Sequence, residues 1–128
     1  MPFVRAHLRR GQSRYYRQAI LDNVYEALRE TFNVPEEDRF MVIDEYDPDN
    51  FSFSKSYMNI ERSDKFVLLQ ITVSNTRTIE QKQALYRRIV ERLGEQPGIR
   101  AEDIFINLVE VGKENWSFGL GVAQYVTT

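Results

Sequence analysis

Shifted by 65 positions, the chain aligns with itself without a gap. Val4, Ala6 and Leu8 fall on Leu69, Ile71 and Val73, and Ser13 falls on Thr78. Gln18, Ala19 and Ile20 meet Gln83, Ala84 and Leu85, while Val24, Glu26 and Leu28 meet Ile89, Glu91 and Leu93. Val34 meets Ile99, Asp38 meets Asp103 and Glu45 meets Glu110. Whatever the first half folds into, the second must fold into as well. Two copies are too few for a solenoid, so the self-similarity implies a duplicated domain with a pseudo-two-fold axis.

Each half runs through the same three patterns. First comes alternation of period two, with Val4, Ala6 and Leu8 on one face and Phe3, Arg5 and His7 on the other, as in a strand with one buried face. Next comes a helix cap: Thr78 followed by Gln81 is a capping box, and Ser13 is the matching N-cap. A helical stripe follows, Tyr16, Ile20, Val24, Ala27 and Leu28, repeated as Ile79, Tyr86, Ile89, Val90 and Leu93. The helices must stop before Pro35 and before Pro97-Gly98. Alternation then returns at Met41 and Ile43, and at Ile106 and Leu108.

Each half is therefore a β-α-β unit, whose crossover sets its two strands parallel and right-handed. Two units side by side predict an α+β fold, a four-stranded mixed sheet with two helices on one face. The repeats span roughly residues 2–46 and 67–111 of one domain covering 1–128, with a connector at 47–66 and a tail at 112–128. The helix-free face carries Arg5, His7, Gln70 and Thr72 but also Phe3, Phe40, Phe66, Leu68 and Phe105. A half-apolar face of this kind implies association with further subunits. In the connector, Phe51, Phe53 and Tyr57 alternate with serines after an Asp-Pro turn, which fits either a short edge strand or a loop.

Composition removes several functional classes. A net charge of -2 gives no basic field for phosphate-driven nucleic-acid binding. With no cysteine there is neither a disulfide framework nor thiolate catalysis, and the one histidine, His7, cannot build a histidine metal cage. No apolar run reaches the ~20 residues of a membrane span. Arg5, Arg9 and Arg10 break up the N-terminus too early for a signal peptide, so the expectation is a cytoplasmic protein.

Duplication also supplies an internal control, because a residue present in only one half is freer to serve a function. Pro2 has Val67 as its counterpart. A small second residue favours removal of the initiator methionine, which leaves a secondary amine at the chain start. Neutral, such an amine is a general base; protonated, it polarises a carbonyl. The bland reading is a proline tolerated at the first residue of a strand. Arg77, opposite Gln12, stands one residue before the Thr78 cap, where it either forks onto a substrate carboxylate or lies solvated in a loop. Asp38 is matched by Asp103, which fits a turn-capping role, although one copy of a duplicated turn is open to recruitment for catalysis. The stretch Asn115 to Gly121, NWSFGLG, has no counterpart, and its Trp116 and Phe118 suit either a pocket wall or tail packing.

Together these features resemble the tautomerase superfamily, most closely its malonate semialdehyde decarboxylase branch. The resemblance is carried by Pro2 opening a strand, VPEEDRF (34–40), ERSDKFVLLQITVSNTRT (61–78) and NWSFGLGVAQY (115–125). It implies a homotrimer of two β-α-β units per chain that works without a cofactor on a small oxo acid. It also implies roles: Pro2 as the catalytic amine, Asp38 as the aspartate beside it, and Arg77 as a carboxylate anchor. Trp116 and Phe118 become the pocket wall, with Tyr125 near it. One position departs from the pattern. The decarboxylases carry arginines two residues apart before the second helix, and here Asn75 takes the place of the first. One fewer cation leaves one fewer clamp on a carboxylate, which favours keto-enol proton transfer. Decarboxylation or hydration of a 3-oxo acid stays as one alternative, and a non-catalytic trimeric scaffold as another.

Overall fold

Strand β1 (Pro2–Arg9) alternates buried and less buried residues along its whole length, with Val4, Ala6 and Leu8 at most 2% exposed. The computed structural model describes residues 1–126. After β1 the chain forms helix α1 (Arg14–Phe32), strand β2 (Phe40–Tyr46), strand β3 (Val67–Ser74), helix α2 (Ile79–Glu95) and strand β4 (Ile104–Val111). The sheet order is β2-β1-β3-β4. Within each repeat the strands are parallel, β1 with β2 and β3 with β4, while the two repeats meet antiparallel at β1 and β3. Pro2 pairs with Val73, so the start of β1 lies beside the end of β3.

Local chemistry sets the helix limits. The Ser13 hydroxyl accepts from the Tyr16 amide, and Thr78 and Gln81 exchange the two bonds of a capping box. Helix α1 ends on Asn33, whose left-handed backbone (φ 55°) turns the chain out ahead of Pro35. Both helices lie on one sheet face. Ile20, Val24, Ala27 and Leu28 of α1 and Leu85, Ile89 and Leu93 of α2 pack against Val4, Ala6, Leu8, Leu69, Ile71 and Val73. Burying each Val, Leu or Ile side chain here contributes roughly 1.5–3 kcal/mol. Ile79 departs from its expected place in the stripe: as the first residue of α2 it is off the phase set by Leu85, Ile89 and Leu93, and it is 68% exposed.

The connector is a loop rather than an edge strand. It holds short 3-10 turns at Pro48–Asn50 and Tyr57–Asn59 and lies over the helix-free face. Phe53 stacks on Phe66 at 4.3 Å, and Phe51 stacks on Tyr46 at 5.3 Å. His7 is a sheet residue with a satisfied ring, its Nδ1 2.7 Å from the Tyr46 hydroxyl. Among the described residues no helix is long and apolar enough to cross a membrane.

Candidate active site

Because β1 starts where β3 ends, the N-terminus is delivered to the loop that leads into α2. Met1, Ser74, Thr76, Arg77, Lys113 and Tyr125 line an open cleft of about 270 Å³ at this point. The Met1 side chain is only 6% exposed, and the terminal amine stands 3.7 Å from Asp38 Oδ2. Burial lowers the pKa of this amine below its ordinary 8.0; Asp38 opposes that shift and the Arg77 guanidinium adds to it. Burial likewise raises the Asp38 carboxyl, against the pull of the amine and of Arg77. Tyr125 is raised too, by burial and then by the Asp38 charge. The amine, Asp38, Arg77 and Tyr125 therefore share one electrostatic environment.

Each of these groups is held by a different element. Asp38 closes the turn before β2, its amide donating to the Pro35 carbonyl at 3.0 Å. Among the described residues its carboxylate accepts no turn amide, and Oδ1 is buried with no hydrogen-bond partner. The structural role belongs instead to the duplicate, which fastens the connector rather than its own turn. Asp103 is 1% exposed and accepts from both the amide and the hydroxyl of Ser63 at 2.7 Å. Arg77 precedes the α2 cap and reaches across to the end of α1. There it donates to the Phe32 carbonyl at 2.9 Å and lies 4.9 Å from the centre of the Phe32 ring. Among the described residues it has no carboxylate within 4.0 Å.

The tail forms an aromatic wall. Trp116 stacks on Phe118 at 5.6 Å, and Phe118 meets Tyr125 edge-on at 4.8 Å. Trp116 Nε1 donates to the Ser74 hydroxyl at 3.1 Å, which ties the wall to the end of β3. Gln124 braces the turn by accepting from the Phe118 amide and donating to the Gly119 carbonyl. Of the three aromatics, only Tyr125 lines the cleft itself; Trp116 and Phe118 stand behind it. Asn75 is exposed, and its side chain is not among the lining groups.

Three lining residues were missed by the sequence reading: Ser74, Thr76 and Lys113. The asymmetry rule could have found all three, since Ser74 stands opposite Arg9, Thr76 opposite Gly11 and Lys113 opposite Pro48. In the other repeat the place of Pro2 is taken by Val67, which lies in mid-chain and is fully buried. That half accordingly has no terminal amine to offer.

The chain matches known proteins over nearly its whole length. Two family profiles described as "Tautomerase enzyme" match, one over residues 38–119 and the other over residues 2–58. The chain is 41% identical over 126 residues to "Probable tautomerase YusQ" of Bacillus subtilis (strain 168), covering 98% of this chain and 99% of that one. It is 33% identical over 127 residues to "Probable tautomerase YrdN" of the same organism, covering 99% and 98%. Among solved structures it is similar to FG41 malonate semialdehyde decarboxylase inhibited by 3-bromopropiolate. That match has a TM-score of 0.90 and 35% identity over 96% of this chain and 93% of the other. A fused 4-OT symmetric trimer shares the fold at a TM-score of 0.79 and 17% identity, over 96% and 97% of the two chains.

Proposed function

The chain belongs to the tautomerase family, and from that premise we propose that it transfers a proton at the carbon next to a carbonyl in a small oxo acid, using Pro2 as the base. The observation that carries this reading is the terminal amine, 3.7 Å from Asp38 and influenced by Arg77, on a residue that lines the same cleft as Arg77. Removal of Met1 takes the Met1 side chain out of the cleft and passes the role of terminal amine to Pro2. The Pro2 ring is fixed by the ladder against Val73, so the direction of its lone pair is set by the sheet.

The chemistry follows from the groups present. A neutral Pro2 amine accepts the enol O–H proton and returns a proton to carbon, giving the keto acid. Arg77, already anchored to Phe32, holds the substrate carboxylate, with Asn75 beside it on the same loop. Asp38 stabilises the ammonium formed midway. Trp116 and Phe118, with Tyr125 in front, limit water, which strengthens each electrostatic contact. The outer sheet face supports a homotrimer, since Phe40, Val42, Phe105 and Val109 are all at least 36% exposed in the single chain.

A second reading is favoured by the likeness to a malonate semialdehyde decarboxylase at 35% identity. Decarboxylation or hydration of a 3-oxo acid would use the same amine as a cation that polarises the carbonyl. One experiment separates the readings. After mass spectrometry has confirmed loss of Met1, wild type and Pro2→Ala are assayed on an enolised 2-oxo acid and on malonate semialdehyde. Proton transfer lost on Pro2→Ala supports the first reading, and Pro2-dependent release of carbon dioxide supports the second. Equal rates for the two proteins on both substrates would overturn both.

A further inference from the structure

The cleft has a second cation that the mechanism above does not use. Lys113 lies just after β4, on the turn Lys113–Asn115, and lines the cleft together with Arg77. Most other basic side chains near the sheet are neutralised: Lys82 is 2.9 Å from Glu110, and Arg17 is 3.8 Å from Glu45. Lys113 has no carboxylate within 4.0 Å among the described residues. Its neighbour in sequence, Glu114, does not serve it. That carboxylate folds back over Gly112, where a side chain would leave only 2.6 Å between its Cβ and Glu114 Oε1. The glycine thus gives the acid a place away from the lysine.

The two cations approach from different sides. Arg77 is tied to Phe32, at the end of the helix that leads into β2, whereas Lys113 follows β4 at the opposite edge of the sheet. The N-terminal residue, which leads into central β1, lies between these two edges. Two cations that line one cleft, neither in a close ion pair among the described residues, repel one another, and an anion bound between them relieves that repulsion. We propose that Lys113 is a substrate-binding residue, a second cation that holds the carboxylate end of the substrate together with Arg77. This assignment rests on the oxo-acid reading of the cleft but does not depend on which bond is made or broken there.

The test uses malonate, a small carboxylate probe with no ketone or aldehyde to react, titrated by NMR into the Met1-processed protein. Lys113→Met should weaken malonate binding about tenfold, in keeping with one charge-assisted contact at a partly exposed site. Lys113→Arg should stay within about threefold of wild type, because it keeps the charge. Lys82→Met removes the same net charge outside the cleft and should leave binding unchanged. In steady-state assays Lys113→Met should raise KM for the oxo acid about tenfold, with kcat within about twofold. Unchanged malonate affinity in Lys113→Met overturns the assignment, as does an equal loss in Lys82→Met, which would mark a general field effect. If Pro2→Ala proves fully active, the proton-transfer reading fails while the malonate titrations still decide the role of Lys113.

Discussion

Asp38 and Asp103 occupy equivalent positions in the two repeats, yet only Asp103 is satisfied. Its carboxylate takes two bonds from Ser63, whereas Asp38 keeps a buried oxygen without a partner and places the other 3.7 Å from the terminal amine. The two repeats thus use the same residue differently: Asp103 fastens the connector, and Asp38 faces the terminal amine.

That division predicts opposite behaviour on substitution. Asp103→Ala strands the Ser63 amide and hydroxyl and should cost about 2–4 kcal/mol in urea unfolding. Asp38→Asn removes a carboxylate whose charge is already disfavoured by burial, so stability should change by less than about 1 kcal/mol. Its kcat/KM should nevertheless fall on the order of a hundredfold. A large loss of stability in Asp38→Asn with activity intact would reverse the two assignments.

The terminal amine should titrate below its ordinary 8.0, because burial penalises the ammonium. Its neighbours give a signed test by NMR titration of the amine. Asp38→Asn removes the anion that holds the pKa up, so the value falls further. Arg77→Gln removes a cation and raises it. The unfolded chain binds this proton more tightly than the folded one. Stability from this group is therefore fully present above the unfolded value and is lost as pH falls through the depressed folded value. Once Met1 is removed Pro2 carries the terminal amine, and on the proposed reading Asp38 and Arg77 act on it as they act on the Met1 amine. The acid limb of its kcat/KM profile should accordingly move down in Asp38→Asn and up in Arg77→Gln.

The sequence made the scaffold readable because its signals repeat. Alternation, caps and stripes occur twice at a fixed offset, and each copy checks the other, down to the Thr78 and Gln81 box. Ile79 shows the limit of that check: an apolar residue in the first turn passes for part of a stripe whose phase only Leu85, Ile89 and Leu93 define. Of the cleft lining, Arg77 was readable because one half departs from the other there. Asp38 was ambiguous because its identity is shared and only its surroundings differ. Ser74 and Lys113 carry no local pattern; they meet because β3 and β4 end side by side, with Ser74 paired to Val111.

Ser74 couples that junction to the aromatic wall. Ser74→Ala removes the acceptor of the Trp116 indole N–H and should cost about 1 kcal/mol. Trp116 is the one tryptophan in the chain, so its fluorescence reports the wall directly. The emission should shift to the red as the ring loosens into water, and KM for the oxo acid should rise several-fold. An unshifted spectrum would mean that the Phe118 stack, not the hydrogen bond, holds the indole.

The outer sheet face sets the last expectation. Phe40 and Val42 on β2, and Phe105 and Val109 on β4, are 53%, 41%, 44% and 36% exposed, on the two edge strands of the sheet. A trimer would cover them; a monomer would leave an apolar surface of the kind soluble chains avoid. Val42→Glu places a charge on this face without touching the helix-packed core. Its cross-strand neighbour is Arg5, already 3.7 Å from Asp44, so desolvating the new carboxylate between subunits still costs several kcal/mol, enough to dissociate an assembly at micromolar concentration. Sedimentation should therefore give a trimer for wild type and a monomer of unchanged circular dichroism for Val42→Glu. A Val42→Glu protein that still sediments as a trimer would move the interface away from this face.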